Sequence, residues 1–254
     1  MASINENVRI IRDNIDEMKR KLSLPNTATL AEVTAKAGDI DPVLQNKTVS
    51  PNDESAVVVT VGSKFSGTYQ SACIAAEDYE NIYVVDSGSV AIGGGILVEY
   101  ALKLLDDGLN AKEIANALEE VKKKIVIVAL VDTLEYLQKG GRISKAVAFA
   151  GGVLNIKPVI SVVDGEINML GKARGSKMGN NLLVQEIDKA GGIDFGKPVL
   201  LGYTGISDSL LLKYIEDSKH IWENNLEEVH YTTIGSVIGT HAGPGAVAVA
   251  FFKK

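Results

Sequence analysis

Three runs of β-branched and other apolar residues stand out in the middle of the chain. They cover residues 57–61, 82–85 and 125–131, and each is almost continuously apolar. Strands of that kind are typical of a parallel sheet that is covered on both faces, and the segments between them have helical patterns. The pattern therefore predicts an α/β fold whose first lobe, residues 56–131, is built on a parallel sheet.

The pattern changes after residue 131. Residues 158–163 and 167–170 flank Asp164-Gly165, a pair that favours a two-residue hairpin turn. Helices and strands both follow, so we predict a mixed α/β second lobe over residues 132–254. The other predicted elements are helices at 66–78, 90–107, 111–124, 133–138, 146–154, 177–190 and 207–224, and strands at 198–203, 229–238 and 247–252.

The N-terminal segment, residues 1–55, has a different character. Between residues 4 and 22, apolar side chains recur at alternating steps of four and three, which is a heptad pattern. It predicts a short helix that either packs against a partner, giving possible self-association, or docks on its own domain. Residues 39–55 are polar and rich in turn formers, and we interpret them as a linker.

Composition excludes several classes of function. The net charge is −6, which lacks the basic field that nucleic-acid binding requires. Cys73 is the single cysteine, so no internal disulfide can form, and no cluster has the spacing of a metal site. The longest apolar region, 146–163, contains Lys157 and Pro158 and is too short to span a bilayer. We expect a cytoplasmic protein that is not membrane-embedded and that holds no metal or cofactor.

The turn after the first predicted strand is the strongest candidate for chemistry. Ser63, Ser66 and Thr68 place three hydroxyls there, next to Gly62 and Gly67. A strand–turn–helix order also directs free backbone N–H groups of the helix N-terminus at the same point, which suits a small anion such as a carboxylate. The alternative is that Ser66 or Thr68 only caps the helix.

Two further segments carry polar side chains within glycine-rich turns. His241 lies in the turn 239–245, where it is either a donor to an anion or a turn histidine bonded to a backbone carbonyl. Arg142 follows Gly140-Gly141 and either faces a ligand or lies on the surface. A triad of Ser66, His241 and Asp86 would make a serine hydrolase, although the GxSxG motif is missing.

A small basic cluster follows the predicted hairpin in an otherwise acidic chain. It consists of Lys172, Arg174 and Lys177. Such a cluster is either a solvated surface or a site for a phosphate or an acidic partner.

Five segments together resemble the DegV family in the same order and at similar separations. They are GSKFSGTYQSA, IYVVDSGSVAIGGG, VDTLEYLQKGGRISKA, LNIKPVISVVDGEI and THAGPGAVAVAFF. The resemblance covers residues 56–254. It implies a two-lobed α/β protein that binds a long-chain fatty acid between its lobes. It also implies that a separate ATP-binding kinase subunit phosphorylates the bound carboxylate, and that the acyl phosphate feeds phospholipid synthesis in bacteria.

The resemblance also suggests roles for individual residues. Ser66 and His241 match the carboxylate-binding serine and histidine of the family, and Thr68 and Ser63 lie beside them. Lys172 and Arg174 match a basic loop near the pocket mouth that would face a partner, whereas the role of Arg142 stays open. Residues 1–55 lack the strand, the turn and the threonine-bearing segment with which the family begins, so we expect a truncated first lobe.

Three functions are therefore open from the sequence. The first is a non-catalytic fatty-acid carrier that presents its ligand to a kinase. The second is an oligomerising structural or fusion protein with a DegV remnant that no longer binds lipid. The third is a serine hydrolase that uses Ser66.

Overall fold

The computed structural model describes residues 55–144 and 156–254. The chain divides after Glu54, and the described residues all belong to the unit Ser55–Lys254. The predicted heptad helix, most of the predicted linker and the predicted helix 146–154 lie outside the described residues. The predictions for them, including self-association through residues 4–22, stay predictions.

A small parallel sheet opens the unit. Strands β1 (Ala56–Thr60) and β2 (Ile82–Asp86) pair in parallel, with Ala56 opposite Ile82 and Thr60 opposite Asp86. Helix α1 (Thr68–Ala76) forms the crossover between them. The predicted parallel pairing is confirmed, and the helix provides the crossover connection that parallel neighbours need.

Two helices connect the small sheet to a larger one. Helix α2 (Ile92–Asp106) follows β2, and helix α3 (Ala111–Val121) leads through a 3₁₀ turn (Lys122–Lys124) to the next strand. The start of α3 is fixed by a capping box. Glu113 N donates to Asn110 Oδ1 at 3.1 Å, and Asn110 N donates to Glu113 Oε2 at 2.9 Å.

The larger sheet has six strands in the order β5-β4-β3-β8-β6-β7. The strands are β3 (Ile125–Leu130), β4 (Ile156–Val163), β5 (Glu166–Arg174), β6 (Leu200–Tyr203), β7 (Tyr231–Thr233) and β8 (Val247–Phe252). The intervening helices are α4 (Glu135–Lys139), α5 (Gly175–Lys189), α6 (Ser209–Asp217), α7 (Lys219–Trp222) and α8 (Ser236–Ala242). The described residues thus contain one parallel and one mixed sheet, as the α/β fold prediction requires.

The placement of β3 corrects the sequence prediction. We expected this strand in the parallel sheet of the first lobe, but it lies near the middle of the larger sheet and is antiparallel to both β4 and β8. All six of its residues are buried, because helices and the small sheet cover one face and α5 to α7 cover the other. The predicted boundary after Val131 therefore does not coincide with the division between the sheets.

The predicted hairpin is confirmed. Val163 pairs with Glu166 across the two-residue turn, and Asp164 and Gly165 have φ angles of 50° and 71°. Positive φ at both central positions defines the type I′ turn, whose twist matches that of the flanking strands. The hairpin tip lies against the turn between β1 and α1, since a Cβ on Gly165 would lie 3.2 Å from the side chain of Lys64 in that turn.

Two other predicted elements differ from the structure. The strand expected at 229–238 is only Tyr231–Thr233, and α8 begins at Ser236. His241 consequently lies in the last turn of a helix rather than within an irregular turn. The helix expected at 207–224 is divided at Ser218, whose hydroxyl donates to Tyr214 O at 2.6 Å and accepts from Trp222 Nε1 at 2.9 Å.

Candidate functional site

The β1–α1 turn is held tightly by its own backbone. Gly62 N donates to Ser89 O at 2.7 Å, and Phe65 N and Ser66 N both donate to Gly62 O, at 2.9 and 3.3 Å. Position 62 requires glycine, since a Cβ there would lie 3.0 Å from the backbone of Gly88 and Ser89. The turn is therefore anchored to the segment that follows β2.

Ser66 and Thr68 present their hydroxyls together at the end of this turn. Ser66 Oγ and Thr68 Oγ1 lie 2.8 Å apart and share a hydrogen bond, and Thr68 N donates to Ser66 Oγ at 3.3 Å. The N-cap of α1 is Gly67, which makes no side-chain cap. One hydroxyl uses its single proton in this bond, and the proton of the other stays available to an anion; rotation of the first hydroxyl would allow both to donate to one carboxylate.

Ser63, the third predicted hydroxyl, faces a different partner. Ser63 N donates to Asp86 Oδ1 at 3.0 Å, and Gly88 N donates to the same oxygen at 2.9 Å. Burial by itself would raise the pKa of Asp86, but a hydrogen bond from the Ser63 hydroxyl, the two backbone hydrogen bonds and the charge of Lys122 together bring the pKa below its ordinary value. Asp86 therefore ties the two turns of the small sheet together, which does not favour its use in a hydrolase triad.

The lowered pKa of Asp86 leads to a prediction about pH. A carboxylate whose pKa is lower in the folded state stabilises the fold above its unfolded pKa, about 3.9, and that contribution is lost as the pH falls through the folded value. Asp86→Asn should therefore be less stable than the wild type at pH 7, with the difference shrinking below about pH 4. Urea unfolding from pH 7 to pH 3 measures this, and a difference that stays constant would contradict it.

Arg142 connects the β1–α1 turn to the segment after α4. One terminal nitrogen of its guanidinium donates to Gly140 O at 2.6 Å, and the other donates to Phe65 O at 3.2 Å. Phe65 immediately precedes Ser66, so the structure brings the predicted residue Arg142 next to the predicted hydroxyls.

His241 lies against the same segment. A Cβ added to Gly140 would overlap His241 Nδ1, so the imidazole occupies the space that a side chain at position 140 would fill. The turn after His241 is equally close to α4, because a Cβ on Gly243 would overlap the ring of Tyr136. Gly140 thus packs against the imidazole of His241, and its carbonyl accepts from Arg142, which also donates to the carbonyl of Phe65.

Thr204 fixes the turn that follows His241, and sequence reasoning missed it. The residue as a whole is 2% exposed. Thr204 Oγ1 donates to Gly243 O at 2.5 Å and accepts from Ala246 N at 2.9 Å. A threonine directly after a strand is a common sequence feature, so only the pairing with residues about forty positions later reveals the role.

A cavity of about 490 Å³ lies beside Phe65 and Arg142. This volume is within the range of about 300–1,000 Å³ that is usual for small-molecule sites. Its lining residues are Lys64, Phe65, Gly141, Arg142, Ile143, Ser144, Gly165, Glu166 and Ile167. Lys64 Nζ and Glu166 Oε1 form an ion pair of 2.8 Å, which joins the β1–α1 turn to the hairpin and which the sequence did not predict.

Lys172 and Arg174 lie farther along the sheet. Both are exposed on β5, six and eight residues beyond Glu166. At about 3.3 Å per residue, they are some 20 Å or more along the strand from the cavity residue Glu166. The structure therefore does not place them among the residues that line this cavity.

Residues 55–144 and 156–254 contain no group of three His, Cys, Asp or Glu side chains that could hold a metal ion. Over the same ranges, no helix is both long enough and apolar enough to cross a bilayer.

Comparison with known proteins identifies the family. The model of the family described as "Uncharacterised protein, DegV family" matches residues 3–254. The chain belongs to the DegV family. Because this match begins at residue 3, it does not support the expectation that residues 1–55 lie outside the family.

Relatives of known sequence or structure agree with this assignment. The DegV domain-containing protein TTE1491 of Caldanaerobacter subterraneus is 31% identical over 256 residues, covering 99% of this chain and 87% of the relative. A DegV family protein from Eubacterium eligens, solved with heptadecanoic acid, shares 25% identity and a TM-score of 0.71 over 80% of this chain and 74% of its own. Fak B3 of Streptococcus pneumoniae, a Fatty Acid Kinase protein solved with linoleic acid, shares 24% identity and a TM-score of 0.69 over 80% of this chain and 73% of its own, which shows the fold alone.

Proposed function

We propose that this DegV protein binds a long-chain fatty acid and holds its carboxylate at the β1–α1 turn. The observation that carries the proposal is the pair of hydroxyls on Ser66 and Thr68, 2.8 Å apart and directly after the cavity residue Phe65. Hydroxyl donors at a helix start suit a carboxylate. The fatty acid in the Eubacterium eligens relative supports the same class of ligand.

His241 supplies the second side of this head-group site in our proposal. It packs on Gly140, next to Gly141 and Arg142 in the cavity lining. Ser63 was predicted as a direct ligand. In our proposal it does not contact the carboxylate, because its backbone N–H and its hydroxyl both hydrogen-bond to Asp86. The head group is thus held between the end of the small sheet and the segment around α4 and α8.

The apolar tail supplies most of the affinity. A sixteen-carbon chain buries about 14 methylenes, and at about 0.8 kcal/mol each this gives a gross gain of about 11 kcal/mol before the costs of association. Phe65, Ile143 and Ile167 line the cavity and also pack on the core between the two sheets. We propose that the tail follows this apolar surface between the lobes, while hydrogen bonds to the carboxylate set its position.

A binding experiment separates the head group from the tail. Ser66→Ala and His241→Ala should each lower the preference for a fatty acid over the alcohol of equal length by about tenfold, since a hydrogen bond to a charged group contributes about 1.5–3 kcal/mol. The affinity for the alcohol should change little. Titration with both ligands measures this, and Ser71→Ala, an exposed serine on α1, is the matched control.

The proposal also predicts that the purified protein carries an acyl chain. Extraction into organic solvent and mass spectrometry should identify it. If no acyl chain co-purifies and none binds when it is added back, fatty-acid binding is wrong for this protein.

We further propose that the protein is a carrier and that a separate ATP-dependent kinase subunit acts on its ligand in the cytoplasm. A carboxylate oxygen would attack the γ-phosphorus of ATP, the bond to the bridging oxygen would break, and ADP would leave with the acyl phosphate retained for phospholipid synthesis. The motif resemblance supports this step. Exposed Lys172 and Arg174 are then candidates for contact with the partner. Formation of acyl phosphate from labelled ATP, with and without a fatty-acid kinase subunit, tests it.

A further inference from the structure

Arg142 is fixed by two hydrogen bonds to the backbone, whereas an arginine with a purely surface role would extend into solvent. Its two hydrogen bonds go to backbone carbonyls of separate segments, Gly140 O at 2.6 Å and Phe65 O at 3.2 Å. The second contact spans 77 residues of sequence. A planar guanidinium can place two nitrogens on two acceptors in a fixed geometry, which a lysine cannot do.

A hydrogen bond to the carbonyl of Phe65 restricts the backbone orientation of the next residue, Ser66. Phe65 O and Ser66 N belong to one planar peptide unit, so holding the oxygen fixes the orientation of the bond that leads into Ser66. Ser66 N is held from its other side by Gly62 O at 3.3 Å. The peptide before Ser66 is therefore bound at both of its polar atoms.

The second hydrogen bond of Arg142, to the carbonyl of Gly140, restricts the residue against which His241 packs. Gly140 is the surface on which His241 rests, because a Cβ there would overlap the imidazole. Arg142 thus joins the peptide that orients Ser66 to the residue that supports His241. These are the two side chains that the proposed function assigns to opposite sides of the carboxylate.

The charge of Arg142 is a second property of this residue, separate from its two hydrogen bonds. Of the three charged side chains in its lining, Lys64 and Glu166 form an ion pair with each other. Among the described residues no ion pair is present at Arg142, so the described lining retains one positive charge. This charge is of the sign that a carboxylate requires.

We propose that Arg142 is a positioning residue, which holds Ser66 and His241 at the separation that grips a carboxylate. The inference rests on the proposed function and adds a role that the sequence left open. It concerns only the recognition of the carboxylate, so the binding of the apolar tail should not depend on Arg142.

The experiment compares Arg142→Met and Arg142→Lys with the wild type, using a fatty acid and the alcohol of equal length as probes. Both variants should lower the preference for the acid by about fivefold or more and leave the affinity for the alcohol within twofold. Lys139→Met, an exposed lysine on α4, is the control for loss of a nearby positive charge. Thermal unfolding of each variant monitors the fold.

Each result bears on the inference. If Arg142→Lys keeps the full preference while Arg142→Met loses it, the charge alone matters and positioning is wrong. If both probes weaken equally, Arg142 has only a structural role. In a Ser66→Ala/His241→Ala background, Arg142→Lys, which keeps the positive charge, should cause no further loss of preference, and an additional loss would contradict action through those residues. A wild-type protein that shows no preference for the acid would instead overturn the proposed function itself.

Discussion

Thr204→Val is expected to destabilise the folded protein by about 2–5 kcal/mol. The hydroxyl of Thr204 donates to Gly243 O at 2.5 Å and accepts from Ala246 N at 2.9 Å, and the residue is 2% exposed. Valine has the same shape but can make neither hydrogen bond. Each buried backbone group left without a partner costs about 1–3 kcal/mol, and both would be left at once.

The matched variant is Thr204→Ser. It keeps the hydroxyl and loses one methyl group, so its cost should be about 0.5–1.5 kcal/mol. Urea unfolding followed by circular dichroism gives both free energies. If the serine variant is destabilised as much as the valine variant, packing of the methyl group and not hydrogen bonding holds this turn.

The first strands show how much a sequence pattern can establish. Continuous apolar runs separated by a helical segment predicted the parallel pair β1 and β2, and Asp164-Gly165 predicted the hairpin between β4 and β5. Both predictions depend on local chemistry. A crossover helix permits parallel neighbours, and two residues with positive φ favour one kind of turn.

The same reasoning gave the wrong neighbours for β3. Its six residues are buried on both faces, which is typical of a parallel strand but holds equally for an antiparallel strand between two covered faces. The partners of β3 come from segments thirty to more than a hundred residues away. An apolar run reports that a strand is buried and does not report which strands lie beside it.

The helix that carries His241 was missed for a different reason. Helix α8 has seven residues, is flanked by Gly235 and Gly243 and contains Gly239, so its sequence looks like a turn. Glycine has low helix propensity, and a segment of seven residues gives little periodicity. Packing against α4 holds this helix in place instead.

The same distinction between local contacts and contacts of distant segments applies to the candidate site. The hydroxyls of Ser66 and Thr68 were predictable, since residues two positions apart in one turn must lie close together. The contact of Arg142 with Phe65 O and the ion pair of Lys64 with Glu166 join distant segments, 77 and 102 residues apart. Sequence identifies the chemical groups of this site, whereas its geometry depends on tertiary packing.

Gly140→Ala is expected to cost about 1–3 kcal/mol of stability and to weaken the selection of a carboxylate. The added Cβ would overlap His241 Nδ1 and would lie 3.2 Å from Tyr136 O. Overpacking of this size forces side chains or backbone to move, and backbone oxygen yields less readily than a side chain. We therefore expect His241 to be displaced and the preference for a fatty acid over its alcohol to fall.

A second substitution makes this prediction specific. His241→Ala removes the overlapping ring, so the Gly140→Ala/His241→Ala double variant should recover most of the stability that Gly140→Ala loses, while the preference for the acid stays low. Gly94→Ala is the control, because a Cβ there meets nothing within 4 Å. Double-mutant analysis of urea unfolding gives the coupling between the two positions. Purely additive effects would mean that the imidazole does not rest on Gly140, and the proposed arrangement of the head-group site would then be wrong.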